Sequence, residues 1–338
     1  MRNGISNVTL AGSLALAVGV TVAAAQTWSS QTWPSQTWPN HVITLIVPFG
    51  PGSGSDTVAR IVAGRAGEIL GQPIIVENIG GAGGTIGVTR AAKAAPDGYQ
   101  MALGAVDTFA QSQSLFKVPP YDSVADFTPV ALAVEQPLIV ITRTGIPAKN
   151  LQEFAGYAKI NQEKMQFGST GVGSGPYLAC VMLNGAMGVK VTAVPYRSSA
   201  PAFTDMLAGT LDYYCPLAVG AIPFIGGKQV NALAILTAER SPLMPDLPTA
   251  KEQGFDVVDG YYWMAFFLPK GTPEPIVSKL NAAIDAALND EAVQARLRDV
   301  ATSVVAPQRR SAAYLQQLLA GEITKWRATM AASGVTPQ

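Results

Sequence analysis

A regular alternation of short apolar segments and amphipathic segments limits the folds open to this 338-residue sequence more than any other pattern. The segment 42–49, VITLIVPF, is rich in β-branched residues, which is typical of a strand buried on both faces. The segment 56–70 then repeats its apolar residues at helical spacing, and Gly71 ends it. A strand, a glycine-rich loop and a helix in this order predict parallel βαβ units.

The alternation continues from PLIVITR at 137–143 to YYWMAFFLP at 261–269. Beyond residue 270 the strand patterns stop and helical patterns fill the rest of the chain. Two runs of βα units followed by a helical region predict two α/β lobes with a cleft between them.

Three glycine-rich loops share one design: PFGPGSGSD at 48–56, NIGGAGGTIG at 78–87 and GSTGVGSGPY at 168–177. Each follows a predicted strand and opens a predicted helix. The first N–H groups of a helix lack partners and carry the positive end of its dipole, so the main chain can hold an anion there. Hydroxyl groups accompany these N–H groups at Ser53, Ser55, Thr85, Ser169, Thr170 and Ser174.

A nucleotide phosphate is a poor candidate for that anion. A P-loop needs a lysine, and none of the three loops contains one. The first loop has the wrong glycine spacing for a dinucleotide fingerprint, and the second offers only a loose match. A small ligand with one or two carboxylates suits these loops better.

Side-chain chemistry gives no positive indication of catalysis, of a metal site or of a cofactor. The one histidine, His41, lies before the first strand, so triads, zinc sites and acid–base steps that need histidine are disfavoured. Lys plus Arg and Asp plus Glu both count 23, which gives no basic face for nucleic acid. Cys180 and Cys215 allow either two buried thiols or a disulfide, and the interpretation favours the thiols.

The N-terminus predicts export. Residues 1–25 combine Arg2, an apolar run and three alanines, which is typical of a signal peptide cleaved after Ala25, and we expect a periplasmic protein. Residues 26–40 repeat the letters QTW three times and are interpreted as a polar linker.

An ordered series of motifs, including ITLIVPFGPGSGSDTVAR, GQPIIVENIGGAGGTIG, MQFGSTGVGSGPYLA and VPYRSSAPAFTDMLAGTLD, resembles the periplasmic solute-binding subunits of tripartite tricarboxylate transporters, the Bug or TctC-like proteins. The resemblance covers nearly all of the chain after the repeat. It implies a type II periplasmic-binding-protein fold, in which two α/β lobes joined by crossing strands close by a hinge on a ligand cleft. Lobe 1 would comprise residues 41–140 plus 260–338, and lobe 2 residues 141–259.

The resemblance also implies a ligand and a site. The ligand would be a dicarboxylate, a tricarboxylate or an aromatic acid, held by main-chain groups and hydroxyls. Asp205 matches a family acid that faces the cleft. A site for an aromatic carboxylate, with Arg197 as its counter-charge, could be formed by Tyr177, Tyr196, Arg197 and the run Tyr261-Tyr262-Trp263. Ser53 and Tyr177 depart from the glycine and the histidine that are common in the family. The full set of expected ligand-binding residues is Phe49, Gly52, Ser53, Gly54, Ser55, Asp56, Gly83, Gly84, Thr85, Ser169, Thr170, Gly173, Ser174, Tyr177, Arg197 and Asp205.

The resemblance implies a monomer that needs no cofactor and delivers its carboxylate to membrane permease subunits. Two alternatives stay open on the sequence. The chain could present its ligand-loaded form to a membrane kinase as a sensor, or it could be a secreted α/β enzyme.

Overall fold

The computed structural model describes residues 38–257 and 261–332. The predicted signal peptide, and the predicted linker except for its last three residues, lie outside the described residues. Within these ranges the chain forms two mixed sheets with helices packed against them, which confirms the predicted α/β class. No helix in this part of the chain is both long and apolar enough to span a membrane.

The strands of the described residues are short, apart from two long strands that lie side by side. In chain order they are β1 (Ile43–Val47), β2 (Ile74–Asn78), β3 (Gln100–Ala105), β4 (Phe127–Gln136), β5 (Ile139–Arg143), β6 (Gln166–Ser169), β7 (Thr192–Pro195), β8 (Tyr213–Tyr214), β9 (Val230–Ile235), β10 (Tyr262–Pro269) and β11 (Ser303–Val304).

The α-helices alternate with these strands and then fill the C-terminal part. They are α1 (Gly54–Leu70), α2 (Thr85–Ala92), α3 (Ser112–Leu115), α4 (Leu151–Asn161), α5 (Gly175–Met187), α6 (Ser199–Leu207), α7 (Ala218–Gly226), α8 (Glu274–Asn289), α9 (Glu291–Arg298) and α10 (Ala312–Ala332). A π-helical turn, Val106–Gln111, connects β3 to α3.

The first sheet has the order β11-β4-β10-β3-β1-β2. β1 pairs in parallel with both β2 and β3, as βαβ units require, whereas β10 runs antiparallel to β3 and β4. The second sheet has the order β7-β6-β8-β5-β9, in which β6 pairs in parallel with β7 and β8. The two-residue strand β11 was not predicted, because two residues carry no readable period.

The chain passes from the first sheet to the second between β4 and β5, and it returns between β9 and β10. Strands of the first sheet lie within residues 43–136 and 262–304, and strands of the second within 139–235. The two sheets are therefore connected by two segments of the chain. The exact limits of the two lobes, 41–140 plus 260–338 and 141–259, remain a prediction.

Aromatic packing fixes the π-helical turn on the first sheet. The ring of Phe109 in the turn stacks on the ring of Phe267 in β10, with 3.9 Å between the centroids. Phe109 also makes an edge-to-face contact with Phe127, with 4.8 Å between the centroids. All three rings are buried. The turn that follows β3 is therefore anchored in the hydrophobic core, although it lies at the carboxyl end of the strand, where ligands of α/β proteins bind.

The two cysteines form a disulfide, so the preference for two buried thiols was wrong. Cys180 of α5 and Cys215 after β8 have their Cα atoms 5.6 Å apart, within the usual range for a bond. Both residues are fully buried in the second lobe. The sequence separation of 35 gave no sign of this approach, because it depends on how α5 packs on the second sheet.

Candidate ligand-binding site

Residues of both sheets line a small, partly open cavity where the first and third glycine loops meet. The first sheet and its connections contribute residues from the first loop, the π-helical turn and β10, and the second contributes residues from the third loop, α6 and the start of α7. The lining residues are Phe49, Ser53, Gly54, Ser55, Asp107, Thr170, Pro176, Ser199, Leu217 and Tyr262. The cavity is thus the cleft between the lobes in a closed arrangement.

Contacts across the cleft show how closely the lobes approach each other. The backbone N–H of Gly50 donates to the carbonyl of Arg197 at 3.3 Å. A side chain at Gly83 would clash with the carbonyl of Val172, so the second and third loops touch backbone to backbone. Gly83 also has a φ of 63°, in the region that favours glycine. The second loop therefore helps to close the cleft, and none of its residues lines the cavity.

The first loop owes its shape to Asp56. Its carboxylate accepts hydrogen bonds from the Gly52 N–H and the Asn78 side chain, each at 3.0 Å, and pairs with Arg60 at 3.0 Å. Burial alone would raise the pKa of Asp56, but these partners outweigh it and hold that pKa below its ordinary value. Ser53 caps α1 by accepting from the Asp56 N–H at 3.2 Å. Asp56 thus anchors the loop while Ser53, Gly54 and Ser55 face the cavity.

The third loop is built in the same way around Ser174. Its hydroxyl donates to the Gly171 carbonyl at 2.8 Å and accepts from the Tyr177 N–H at 3.4 Å, which starts α5. The Ser169 hydroxyl donates to the Val194 carbonyl at 3.5 Å. Thr170 is the residue of this loop whose side chain lies at the cavity, next to Pro176 in the first turn of α5.

Asp107 is the charged residue of the cavity wall, and the sequence did not predict it there, nor did it predict Pro176, Ser199 or Leu217. Asp107 is 1% exposed, and its Oδ1 accepts from the Thr108 N–H at 2.7 Å. Its Oδ2 accepts from the Gly175 N–H at the start of α5, across the cleft, at 2.9 Å. The Tyr262 phenol also hydrogen-bonds to this carboxylate and to Ser55. The signal that could have revealed it is an acid directly after the third strand, at the carboxyl edge of a parallel sheet.

Burial shifts the titration of both ionisable groups in the cavity wall. It raises the pKa of Asp107 to about 6, against the lowering effect of its hydrogen bonds from Gly175, Tyr262 and Thr108. It also raises the pKa of Tyr262 well above the ordinary value, and the nearby Asp107 charge adds to that rise. Both groups are therefore easier to keep neutral than they would be in water.

Two charged residues expected at the ligand, Arg197 and Asp205, do not line this cavity. Arg197 is exposed, and it is its carbonyl that meets the first loop. Asp205 accepts a hydrogen bond from the Tyr196 phenol at 2.6 Å, about 9 Å along α6 from the Ser199 that lines the cavity. Among the described residues, Asp107 is the one charged residue in the cavity wall.

The remaining expected residues support the loops and do not line the cavity. The Thr85 hydroxyl donates to the Ala82 carbonyl at 2.9 Å, and Gly173 packs against Leu115. The Tyr177 ring lies 6.2 Å from that of Phe167. Five expected residues do line the cavity, namely Phe49, Ser53, Gly54, Ser55 and Thr170.

A second cavity lies beside the first and is mainly apolar. Gly175 borders it, Tyr262 borders both cavities, and Trp326 of α10 contributes to its wall. It contains no residue of the first glycine loop. Within 38–257 and 261–332, no group of three His, Cys, Asp or Glu could hold a metal ion.

Comparison with known proteins agrees with this geometry. Residues 58–335 match the profile of the tripartite tricarboxylate transporter family receptor. The periplasmic binding protein BugD is 34% identical, with a TM-score of 0.86 over 89% of this chain and all of BugD. MatC from Rhodopseudomonas palustris, solved with bound malate, is 40% identical, with a TM-score of 0.83 over 86% of this chain and 99% of MatC.

A further R. palustris protein, solved with adipate, is 28% identical, with a TM-score of 0.83 over 89% of this chain and all of the other. These likenesses extend over both lobes and not over one alone. The chain therefore belongs to the tripartite tricarboxylate transporter receptor family, and it has the fold of a periplasmic solute-binding protein.

Proposed function

We propose that the chain is an extracytoplasmic receptor that captures a small carboxylate between its lobes and delivers it to a tripartite tricarboxylate-type membrane transporter. The observation that carries the proposal is the composition of the cavity wall. Glycine and hydroxyl-bearing residues from both sheets line one small cavity, and no lysine, arginine or histidine of the described residues takes part.

Two helix starts supply main-chain donors for a carboxylate. The first turns of α1 and α6 reach the cavity through Gly54 and Ser199. The first turn of α5 also borders the cavity, but the Gly175 N–H is bonded to Asp107 and Pro176 has no N–H. The turns of α1 and α6 present free N–H groups and the positive end of the helix dipole. At α6 the side chain of the preceding Ser198 makes no capping hydrogen bond, so it does not compete for these N–H groups. Hydroxyls of Ser53, Ser55 and Thr170 add further donors.

The solved relatives support a carboxylate as the ligand class. MatC was solved with malate and the second R. palustris protein with adipate. Both share the two-lobed fold over more than 85% of this chain. The predicted signal peptide and the periplasmic location of BugD support a role outside the cytoplasm.

The closed cleft suggests how capture works. The ligand would enter while the lobes are apart, and contacts such as Gly50 N–H to the Arg197 carbonyl would form as they close by hinge motion. A membrane partner can then distinguish the closed, loaded receptor from the open one. The similar proteins with solved structures are binding proteins, which favours binding over catalysis here.

A thermal-shift screen with mono-, di- and tricarboxylates and aromatic acids tests the capture step. A true ligand at about 100 times its Kd should stabilise the fold by about 2.7 kcal/mol. Thr170→Val removes one cavity hydroxyl while keeping the side-chain volume, so we expect it to reduce the shift. Thr324→Val changes an exposed threonine of α10 and should leave the shift intact.

No stabilisation by any carboxylate would contradict capture. Turnover of a stabilising carboxylate by the purified protein would instead indicate an enzyme. For the delivery step, the ligand-loaded protein should retain permease subunits from solubilised membranes. Retention of a kinase ectodomain in their place would favour the sensor alternative.

A further inference from the structure

The buried carboxylate of Asp107 faces the cavity without a cationic partner. Its hydrogen bonds come from the Thr108 N–H, the Gly175 N–H and the Tyr262 phenol, all of them neutral donors. Of the titratable groups, Tyr262 on β10 hydrogen-bonds to it, and the electrostatic influence of Asp107 also reaches Tyr121. Buried charges in proteins are normally paired with an opposite charge or a metal. This one lacks such a pair within the described residues.

Asp107 also takes a donor that a ligand could otherwise use. The Gly175 N–H belongs to the first turn of α5, which is one of the three helix starts around the cavity. With that N–H bonded to the protein's own carboxylate, the cavity wall at the start of α5 presents a negative charge. The first turns of α1 and α6 remain for a ligand carboxylate. The cavity wall thus combines one buried carboxylate with the starts of two helices.

We propose that Asp107 determines ligand specificity, so that the site prefers a monocarboxylate carrying an ammonium group over a dicarboxylate. This inference rests on the carboxylate-capture function proposed above. The ligand carboxylate lies at the first turns of α1 and α6, and the ammonium group supplies the positive charge that Asp107 lacks. A second carboxylate would stand against Asp107 with no cation between them.

The test uses three probes with the same four-carbon skeleton: γ-aminobutyrate, 4-hydroxybutyrate and succinate. Calorimetric titration of the purified protein at pH 7.5 gives the Kd of each. We expect γ-aminobutyrate to bind at least tenfold more tightly than succinate, with 4-hydroxybutyrate between them. Asp107→Asn should weaken γ-aminobutyrate and strengthen succinate, so that the preference falls at least tenfold or reverses.

A matched variant controls for loss of an acid elsewhere. Asp97 is exposed on the same lobe and accepts a hydrogen bond from the Tyr99 N–H, so Asp97→Asn should keep the wild-type preference. If Asp107→Asn does not fold, the pH dependence of the wild-type protein provides the test. γ-Aminobutyrate keeps both its charges between pH 5 and 7.5, since its groups titrate near 4 and 10.

Protonation of Asp107, whose pKa burial raises to about 6, should weaken γ-aminobutyrate about tenfold between pH 7.5 and 5.0. A preference for succinate in the wild type, or an affinity for γ-aminobutyrate that is independent of pH, would overturn the role of Asp107. Failure of all three probes and of the wider carboxylate screen would overturn the capture function itself. The two failures are therefore distinguishable.

Discussion

Gly83 and Val172 touch across the cleft with no side chain between them. Gly83 belongs to the second glycine loop and Val172 to the third, so the contact joins the two lobes. A Cβ atom on Gly83 would approach the Val172 carbonyl more closely than real Cβ atoms do. Its φ of 63° adds a second reason for glycine at this position.

We therefore expect Gly83→Ala to disfavour the closed state. The added methyl group meets backbone, which cannot rotate away, so the lobes must stay further apart. Affinity for a carboxylate that stabilises the wild type should fall at least tenfold, which corresponds to about 1.4 kcal/mol. Calorimetric titration measures the loss, and small-angle scattering with saturating ligand should show a larger radius of gyration than for the wild type.

Gly64→Ala serves as the control. Gly64 is exposed inside α1, and a Cβ there meets no atom within 4 Å. Alanine should raise the free energy of unfolding by about 0.5–1 kcal/mol, because glycine is a poor helix former, and leave ligand affinity unchanged. Equal affinities of Gly83→Ala and the wild type would show that this contact plays no part in closure.

The sequence predicted the fold and some of the residues that line the candidate cavity, because both depend on local patterns. Apolar period and glycine position gave β1, α1 and the loop between them, and that loop supplies Phe49, Ser53 and Ser55 to the cavity. The role of Asp56 was less accessible. Its spacing from Ser53 indicated a cap, but the Gly52 and Asn78 partners that turn it inward are known only from the folded loop.

Long-range contacts could not be predicted in this way. Asp107 lies 68 residues from Gly175, and their hydrogen bond exists only when the two lobes meet. The disulfide likewise depends on the packing of α5 against the second sheet. Arg197 carried the expectation of a counter-charge, yet the chain enters α6 with that side chain exposed. Local patterns say which residues are near a loop, and tertiary packing decides which of them face the ligand.

Asp56→Ala should destabilise the protein through the first loop. It removes the acceptor of the Gly52 N–H and one of the two acceptors of the Asn78 amide, which also donates to the Phe49 carbonyl, at a cost of about 1–2 kcal/mol in the free energy of unfolding. Because Ser53 and Ser55 would lose their fixed positions, ligand affinity should fall as well. Urea unfolding and calorimetric titration measure the two effects.

Asp290→Ala is a useful comparison for Asp56→Ala. Asp290 also stands at a helix start and pairs with an arginine, Arg65, but its side chain is 24% exposed against 6% for Asp56. We expect a cost of about 1 kcal/mol for the lost cap and no change in ligand affinity. A larger loss of stability for Asp290→Ala than for Asp56→Ala would contradict the anchoring role of Asp56.

Breaking the disulfide should lower stability by about 3–4 kcal/mol, the chain-entropy value for a loop of 35 residues. Urea unfolding with and without a reducing agent measures the difference. The double variant Cys180→Ala, Cys215→Ala should match the reduced wild type and should not respond to the reducing agent, since the sequence has two cysteines in all. Identical midpoints for oxidised and reduced wild type would show that the bond does not stabilise the fold.

The raised pKa of Asp107 makes the closed fold more stable at mildly acidic pH. Burial raises this pKa from 3.8 to about 6, so between these values the folded protein binds a proton that the unfolded chain does not. Stability from this group therefore rises as the pH falls from about 6 towards 3.8. Between pH 7.5 and 5.0 the gain is about 1.4 kcal/mol. The pKa of Asp56 is lowered from 3.8, so Asp56 is ionised in both the folded and the unfolded protein between pH 5.0 and 7.5 and does not change the stability there.

Urea unfolding of the wild type and of Asp107→Asn at pH 7.5 and 5.0 isolates the effect. Other groups titrate alike in both proteins, so the difference in their free energies of unfolding should shift by about 1.4 kcal/mol in favour of the wild type at pH 5.0. Asp97→Asn should show no such shift against the wild type. A difference that is constant with pH, or one that shifts in favour of Asp107→Asn on acidification, would mean that Asp107 is not buried as a lone carboxylate in the closed fold.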